Sequence, residues 1–407
     1  MHVAPRPLSG LTVVDISTSY AGPFCSLMLA DLGADVIKVE KPGGDDARTW
    51  GPPFIAGESA WFLSVNRNKR SLCLDFSVPE GRAILDRILA RSDVLVENLK
   101  PGSLAKFGLD YETVHARHPH LVYAAISGFG LTGPEAHRTG YDLIAQALSG
   151  LMSVTGGPDG EPQRVGTALS DIVTGIVAAL GVTALLVARG RHGEGGLVDA
   201  SLLDVDVALM TPRIVSYLAS GVVPVPTGGT DSVIALYQKV RTADEPIVLA
   251  TGTPVLWDRF KKALGSPPSL ERPEYATNAG RQTHRAALVD EVERLLAQHP
   301  AAYWVDRFRA FGVPCARINY LDGVVREAQL LARDMFPTVS HPVAGTVKLV
   351  GSPLHLDGSA LPIRRPPPLL GQHSVEVLQE CGFAREEIEG WLARGIVYQN
   401  NRPEPAS

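Results

Sequence analysis

The chain has 407 residues, 45% of them hydrophobic and 20% charged, a globular composition that excludes wholesale disorder. At about 150 residues per domain this suggests two or three domains or one elaborate one, with core enough to need no metal or disulfide staple. Lys plus Arg number 38 and Asp plus Glu 43, a formal net charge of −5, which argues against nucleic acid or a membrane surface as a partner.

The opening residues, Met1 to Gly10, contain Pro5 and Pro7 and no apolar run, so they do not read as a signal peptide. Leu11–Ser17 is a short β-branched strand that ends at a Tyr20-Ala21-Gly22-Pro23 turn. Phe24–Leu32 has helical spacing and stops at Gly33, and Ala34–Glu40 reads as the next strand. The pattern repeats with a strand at Ser71–Phe76, a helix over Pro79–Arg91, and strands at Asp93–Glu97 and Leu121–Ser127. Such alternation implies right-handed crossovers and a largely parallel, Rossmann-like sheet. The loop after the first strand carries no G-x-G-x-x-G, so the topology alone licenses no dinucleotide.

From Ile144 to Met210 the chain is apolar and Ala-rich. Its uncharged stretch Ile172–Ala188 is 17 residues long, short of the roughly 20 needed to span a bilayer, and reads as a buried core helix. Val222–Gly229 is a Pro/Gly linker. A smaller α/β unit follows, with a strand at Ile247–Ala250 and helices at Trp257–Leu264, His284–Gln298 and Ala302–Phe311. A hairpin over His341–Val350, a proline run and a final helix close the chain. The 4 cysteines, Cys25, Cys73, Cys315 and Cys381, form no C-x-x-C pair, which points to a reducing, cytoplasmic setting.

Asp171 directly precedes the apolar run, where helix N–H groups and the macrodipole favour a carboxylate. It reads either as an N-cap or as a reactive group, approached through Gly156-Gly157-Pro158-Asp159-Gly160. Lys38, Lys41, Lys100, Lys106 and Arg138 follow strand signals, where loops converge on a ligand crevice. They suit phosphates, or are ordinary surface charge. Asn66-Arg67-Asn68-Lys69-Arg70 reads as a solvated basic loop. The 11 histidines show no metal-ligand spacing, so no metal is expected, and there is no G-x-S-x-G elbow.

Several longer motifs are specific. Pro7-Leu8-Ser9-Gly10-Leu11, Ala21-Gly22-Pro23, Leu29 to Glu40, Val96-Glu97-Asn98 with Pro101-Gly102, Gly128-Phe129-Gly130 with Gly133-Pro134, Gly140-Tyr141-Asp142 and Pro368 to His373 together resemble family III CoA-transferases, the CaiB/BaiF group. The stretch Gly44 to Lys69, with Arg48-Thr49-Trp50-Gly51-Pro52-Pro53-Phe54, resembles members that move CoA between succinyl-CoA and C4 to C6 dicarboxylates. The resemblance implies a Rossmann-like large domain (1–222), a small domain (223–328) and a C-terminal segment (329–407) returning to the large one. It further implies a homodimer of interlocked rings. The family's nucleophilic aspartate falls on Asp171. Its CoA contacts fall on Ala21, Lys41, Leu74, Asn98, Leu99, Lys106, Arg138 and Tyr141, with Tyr20 and Lys100 beside them. CoA thioesters are then substrates, and no permanently bound cofactor is implied.

Two departures stand out. The family's glycine-rich closing loop has as its counterpart Thr251-Gly252-Thr253-Pro254, with one glycine, and Leu236 replaces a proline in Ile234-Ala235-Leu236-Tyr237-Gln238. Arg48 and Arg67 are candidate clamps for a second substrate carboxylate, since guanidinium matches carboxylate bidentately. The alternative for both is an internal salt bridge to Asp45, Asp46 or Glu58. An α-methylacyl-CoA racemase would pair its aspartate with a histidine where this chain has Tyr141, a poor base near neutrality. A non-catalytic acyl-CoA-binding protein is a further alternative.

Overall fold

The computed structural model describes residues 6–158 and 160–400. Residues 1–5 of the N-terminal reading, and Asp159 of the glycine-rich approach, lie outside them. The chain divides into two compact units, one of residues up to 151, 164–220 and 328 onward, the other of 152–163 and 221–327. Residues 152–163 therefore group with the second unit, although the expected boundary at 222 assigns them to the first.

The first unit is built on a parallel sheet of β1 (Thr12–Asp15), β2 (Asp35–Glu40), β3 (Lys69–Leu74), β4 (Val94–Glu97), β5 (Val122–Ser127) and β6 (Gly196–Ser201). Their order in space is β3-β2-β1-β4-β5-β6. An antiparallel edge strand, Val397–Tyr398, pairs with β3 and brings the C-terminal segment onto this unit. β4 and β5 are buried along their whole length, as parallel strands covered on both faces must be. On one face Val14, Leu95 and Tyr123 pack with Ile84, Leu85 and Ile88 from the helix Pro79–Leu89. On the other, Val13, Val36 and Val122 pack with Leu29 and Ala30 of helix α1 (Ala21–Asp31).

α1 starts at Ala21, so the expected Tyr20–Pro23 turn is mostly helix. Pro23 sits in its first turn, where a missing N–H costs nothing. The expected solvated loop at residues 66–70 is instead interior: Asn66, Arg67, Asn68, Lys69 and Arg70 are all buried. Each cation has carboxylate partners from distant segments. Arg67 pairs with Asp31, Lys69 with Asp15 at 3.1 Å, and Arg70 with Asp35, Glu376 and Glu380. Burial is tolerable because every charge is answered.

The second unit has a three-stranded antiparallel sheet, Cys315–Arg317, Ile247–Ala250 and Tyr237–Val240 in spatial order. Helices cover it around Trp257, Phe260, Leu288, Trp304 and Phe308. Within it Thr253 caps the helix Pro254–Ala263, its side chain accepting the Leu256 N–H. The counterpart of the closing loop thus ends in a fixed helix start.

Two further helices shape the first unit, α2 (Asp142–Leu148) and α3 (Leu169–His192). α3 contains the apolar run, but only one side is buried. Thr174, Gly175, Ala178, Ala179 and Val182 face inward, while Ile176, Val177, Leu180 and Val187 are exposed. The expectation of a wholly buried core helix therefore holds for one face. Small residues let that face approach α1 closely: a Cβ on Gly175 would stand 2.7 Å from the Ala21 carbonyl oxygen and 2.9 Å from Phe24 Cβ.

That contact separates two glycines of the same helix. Gly190 has nothing within 4 Å of a built Cβ, so Gly190→Ala should stabilise by about 1 kcal/mol through helix propensity. Gly175→Ala should instead destabilise, because overpacking costs about 1–3 kcal/mol. Urea denaturation of the two variants, followed by circular dichroism, checks the opposite signs.

Candidate active site

In a parallel sheet of this order, the chain leaves β1 and β4 in opposite directions. The crevice beyond their C-terminal ends is where ligands bind. The loop after β1 is held there by side chains at almost every backbone group. Ser17 N–H bonds Asp15 at 2.9 Å, and the Ser17 carbonyl accepts from Lys38 Nζ at 2.9 Å. Thr18 and Asn98, one on each side of the crevice, exchange two 2.8 Å bonds: Thr18 N–H to Asn98 Oδ1, and Asn98 Nδ2 to the Thr18 carbonyl. Ser19 N–H donates to Asp45 Oδ1 at 3.0 Å, and Ser19 adopts φ +68°.

Lys38 is fully buried and pairs with Asp45 at 2.9 Å. It props the loop from beneath and is not the free phosphate contact expected of it. Asp15 is fully buried as well. Burial alone would raise its pKa, but Lys38, Lys69 and two serine hydroxyls hold it down to about 2. The same burial pushes Lys69 down to about 8 against the pull of Asp15.

The crevice opens into a cavity of about 450 Å³, entirely within the first unit. Of the expected site residues, Tyr20, Ala21, Asn98, Leu99, Lys100, Tyr141 and Asp171 line it. Lys41, Leu74, Lys106 and Arg138 do not line it. Leu74 is in the core, Lys41 pairs with Asp46 at 2.8 Å, and Lys106 lies over the Phe107 ring. Arg138 pairs with Glu135 at 3.2 Å.

Arg48 and Arg67, the expected carboxylate clamps, are already occupied. Arg48 grips Glu40 with two bonds of 2.7 and 2.8 Å, and Arg67 grips Asp31 with two of 3.1 and 2.5 Å. Neither guanidinium has a fork free for a ligand. The partners differ from the Asp45, Asp46 or Glu58 weighed from sequence: Glu40 lies eight positions before Arg48, and Asp31 36 positions before Arg67.

Asp171 is in the first turn of α3, at its third position. Ala168 is the N-cap residue and supplies no side-chain cap, so Asp171 is not the cap. That job is done from outside: Asp142, the first residue of α2, accepts the Ser170 N–H at 2.9 Å. Ser170 Oγ donates to Asp206 at 2.7 Å. The nucleophile candidate is thereby ringed by acids. Burial, then the charges of Asp142 and Asp206, push the Asp171 carboxyl from 3.8 up to about 7, against the helix N-terminus that favours ionisation.

Trp50, Trp61 and Arg164 also line the cavity, with no role expected of them from sequence. Trp50 and Trp61 form a wall with Tyr20, at centroid distances of 4.9 Å (Tyr20–Trp61) and 6.1 Å (Trp50–Trp61). Arg164 lies on the approach to α3 and also lines the cavity. The only available signal for it was a position seven residues before Asp171. Among the described residues no group of His, Cys, Asp and Glu is arranged to hold a metal.

The occupied guanidinium groups make a structural prediction. Arg67→Ala strands Asp31 in the interior and should cost about 3–5 kcal/mol, as broken buried pairs do. Chemical denaturation measures it, and a loss below about 1 kcal/mol would contradict the pairing.

The model for CoA-transferase family III matches residues 8–374. A mouse (Mus musculus) succinyl-CoA:glutarate CoA-transferase is 39% identical over 397 residues, covering 97% of this chain and 91% of that one. A succinate–glutarate CoA-transferase of Agrobacterium fabrum is 39% identical over 386 residues, covering 92% and 95%. The crystal structure of a CaiB/BaiF family protein from Brucella suis superposes with a TM-score of 0.82 at 37% identity, covering 93% of this chain and 100% of that one. The chain therefore belongs to CoA-transferase family III, and it is an enzyme that moves CoA between carboxylic acids.

Proposed function

We propose that the enzyme transfers CoA from succinyl-CoA to a C4 to C6 dicarboxylate, with Asp171 as the covalent carrier. The observation that carries this reading is a half-buried carboxylate at a helix N-terminus, opening on a cavity at the sheet's switch point. The names of the mouse and Agrobacterium relatives support the choice of acids.

Ionised Asp171 attacks the thioester carbonyl, the C–S bond breaks, and CoA leaves as thiolate with a mixed anhydride behind it. The thiolate then attacks the aspartyl carbonyl, expels the donor acid and leaves an aspartyl-CoA thioester. The acceptor carboxylate attacks that thioester, and the two steps run in reverse. No ATP or metal is consumed, because the thioester's free energy is carried in the acyl-enzyme. Water has to be kept out, since it would hydrolyse either intermediate. The aromatic wall of Tyr20, Trp50 and Trp61 supplies apolar cover. Lys100 suits a CoA phosphate, and Lys41, Lys106 and Arg138 are assigned to the outer parts of the same ligand.

The proposed setting is a cytoplasmic, interlocked homodimer without nucleic-acid or membrane partners and without a resident cofactor. Its support is the apolar surface left open on the first unit. Leu180 of α3, Leu148 of α2, and Leu218 and Val215 of the helix Thr211–Ser220 are all more than half exposed. Large apolar side chains left exposed on three helices of one unit suit an interface. Light scattering after size exclusion should give twice the mass of 43.5 kDa; a monomer at micromolar concentration would remove the dimer from this reading.

The nucleophile must be ionised to attack. With its pKa raised to about 7, kcat/KM should climb with pH to a plateau above neutrality, losing tenfold per pH unit on the acid side. Asp171→Asn should abolish exchange while leaving the fold intact. Wild type incubated with succinyl-CoA should give a mass adduct on the peptide holding Asp171. Undiminished exchange by the variant would overturn the mechanism.

A further inference from the structure

With Arg48 and Arg67 both locked to internal carboxylates, a dicarboxylate entering this cavity needs another partner for its second charge. The cavity has two cationic lining residues, Lys100 and Arg164. They face different demands. In an acyl-CoA the uncharged pantetheine arm holds the phosphates far from the thioester, so a cation close to the acyl end meets acyl charge and not phosphate. Lys100, on the loop after β4, lines this cavity and also a neighbouring one beside Glu97 and Tyr111. It therefore also borders a cavity whose lining does not include Asp171.

Arg164 is on the strand of chain that runs into α3 and the nucleophile. That segment is fixed to the same scaffold as Asp171. The Val165 N–H bonds Gln146 Oε1 at 2.9 Å, Gln146 Nε2 bonds Asp142 at 2.7 Å, and Asp142 caps Ser170. The guanidinium itself donates only to main-chain oxygens, from Nε to Val165 at 3.1 Å and from Nη2 to Thr167 at 3.4 Å. Among the described residues no carboxylate pairs with it. These bonds orient the group, and no described carboxylate neutralises its charge. An arginine held this way, in the same cavity as the reacting carboxylate, is built to receive an anion.

We propose that Arg164 binds the distal carboxylate of the acyl group, and so selects dicarboxylates over monocarboxylates. This rests on the proposed transfer between dicarboxylates. The aromatic wall of Tyr20, Trp50 and Trp61 then flanks the methylene chain. A monocarboxylate of equal length leaves the guanidinium facing an apolar chain end, and the lost charged hydrogen bond is felt in binding.

The test compares glutarate with its monoamide as acceptors of CoA from butyryl-CoA, a donor with no second charge. Wild type should prefer glutarate in kcat/KM. Arg164→Met should lose about 10- to 100-fold on glutarate, as removal of a hydrogen-bonded charge does, with the monoamide rate and the mass adduct on Asp171 retained. Arg164→Lys, which keeps the charge and loses the fork, should hold part of the preference. Arg164 is exposed, so both variants should fold. A glutarate preference that survives in Arg164→Met overturns this assignment and leaves the proposed function standing. Equal use of the two acceptors by wild type would overturn the dicarboxylate reading, and the role of Arg164 with it.

Discussion

Everything at the site is suspended from a small lattice of buried charge beneath the first loop. Lys38 and Lys69 stand fully buried, paired with Asp45 and Asp15; Asp15 and Lys38 bond the backbone of Ser17, Asp45 accepts the Ser19 N–H, and Lys69 reaches the Pro23 carbonyl. A lattice like this is a poor source of stability, since desolvation consumes much of the Coulomb gain. It is a good source of definition, because removing any member leaves an unanswered charge. The loop it holds could not be built from sheet hydrogen bonds, for the strands diverge there. Asn98 closes the gap with a reciprocal pair to Thr18 that extends the β1–β4 pairing by side chain. Gly22 completes the arrangement: a Cβ there would sit 2.3 Å from Ser17 Cβ, so only glycine lets α1 begin directly against the loop.

Much of this architecture was readable in advance, and the exceptions share a cause. β1 to β5 announce themselves as short apolar, β-branched runs separated by helical spacing, and the parallel order follows from the alternation. Asp171 was visible because a carboxylate at the head of a long uncharged run is conspicuous. Arg67, Lys69 and Arg70 were misread as solvated because their charges are neutralised by residues remote in sequence; Arg70 and Glu376 are 306 positions apart. Local composition carries no trace of such partners. Arg48 is no clamp because Glu40, eight positions before it, takes its guanidinium. The edge strand Val397–Tyr398 is two residues long, too short to have a period. Arg164 was overlooked because a single arginine between Gln163 and Val165 looks like any loop residue until the cavity wall is known.

Asp142 shows how a single residue can be legible in one role and hidden in another. The motif Gly140-Tyr141-Asp142 marks it as part of the family pattern, yet its structural work is to cap a helix that begins 27 residues later, with Leu169. By taking the Ser170 N–H it frees Asp171 from capping, and by carrying a charge it raises the Asp171 pKa. Those two effects pull Asp171 away from being a structural carboxylate. Asp206, which accepts from Ser170 Oγ, adds its own charge to the second effect.

A raised pKa has a directional consequence in the proposed route. The mixed anhydride joins the Asp171 carboxyl to a substrate carboxyl whose ordinary pKa is about 4.3. Returning thiolate has two carbonyls to choose from. Attack at the substrate carbonyl expels Asp171, whereas attack at the aspartyl carbonyl expels the substrate acid. The less basic group leaves faster, as it does in thiol exchange. With Asp171 raised to about 7, the substrate acid is the better leaving group, which favours aspartyl-CoA in the first half-reaction and equally opposes release of the new thioester from the acceptor's anhydride in the second. An aspartate with an unshifted pKa would part no more slowly than the substrate and return much of the anhydride to starting thioester. In the proposed route the acids around Ser170 thus lower the ionised share of Asp171 at neutral pH and favour aspartyl-CoA over the return of either anhydride to thioester.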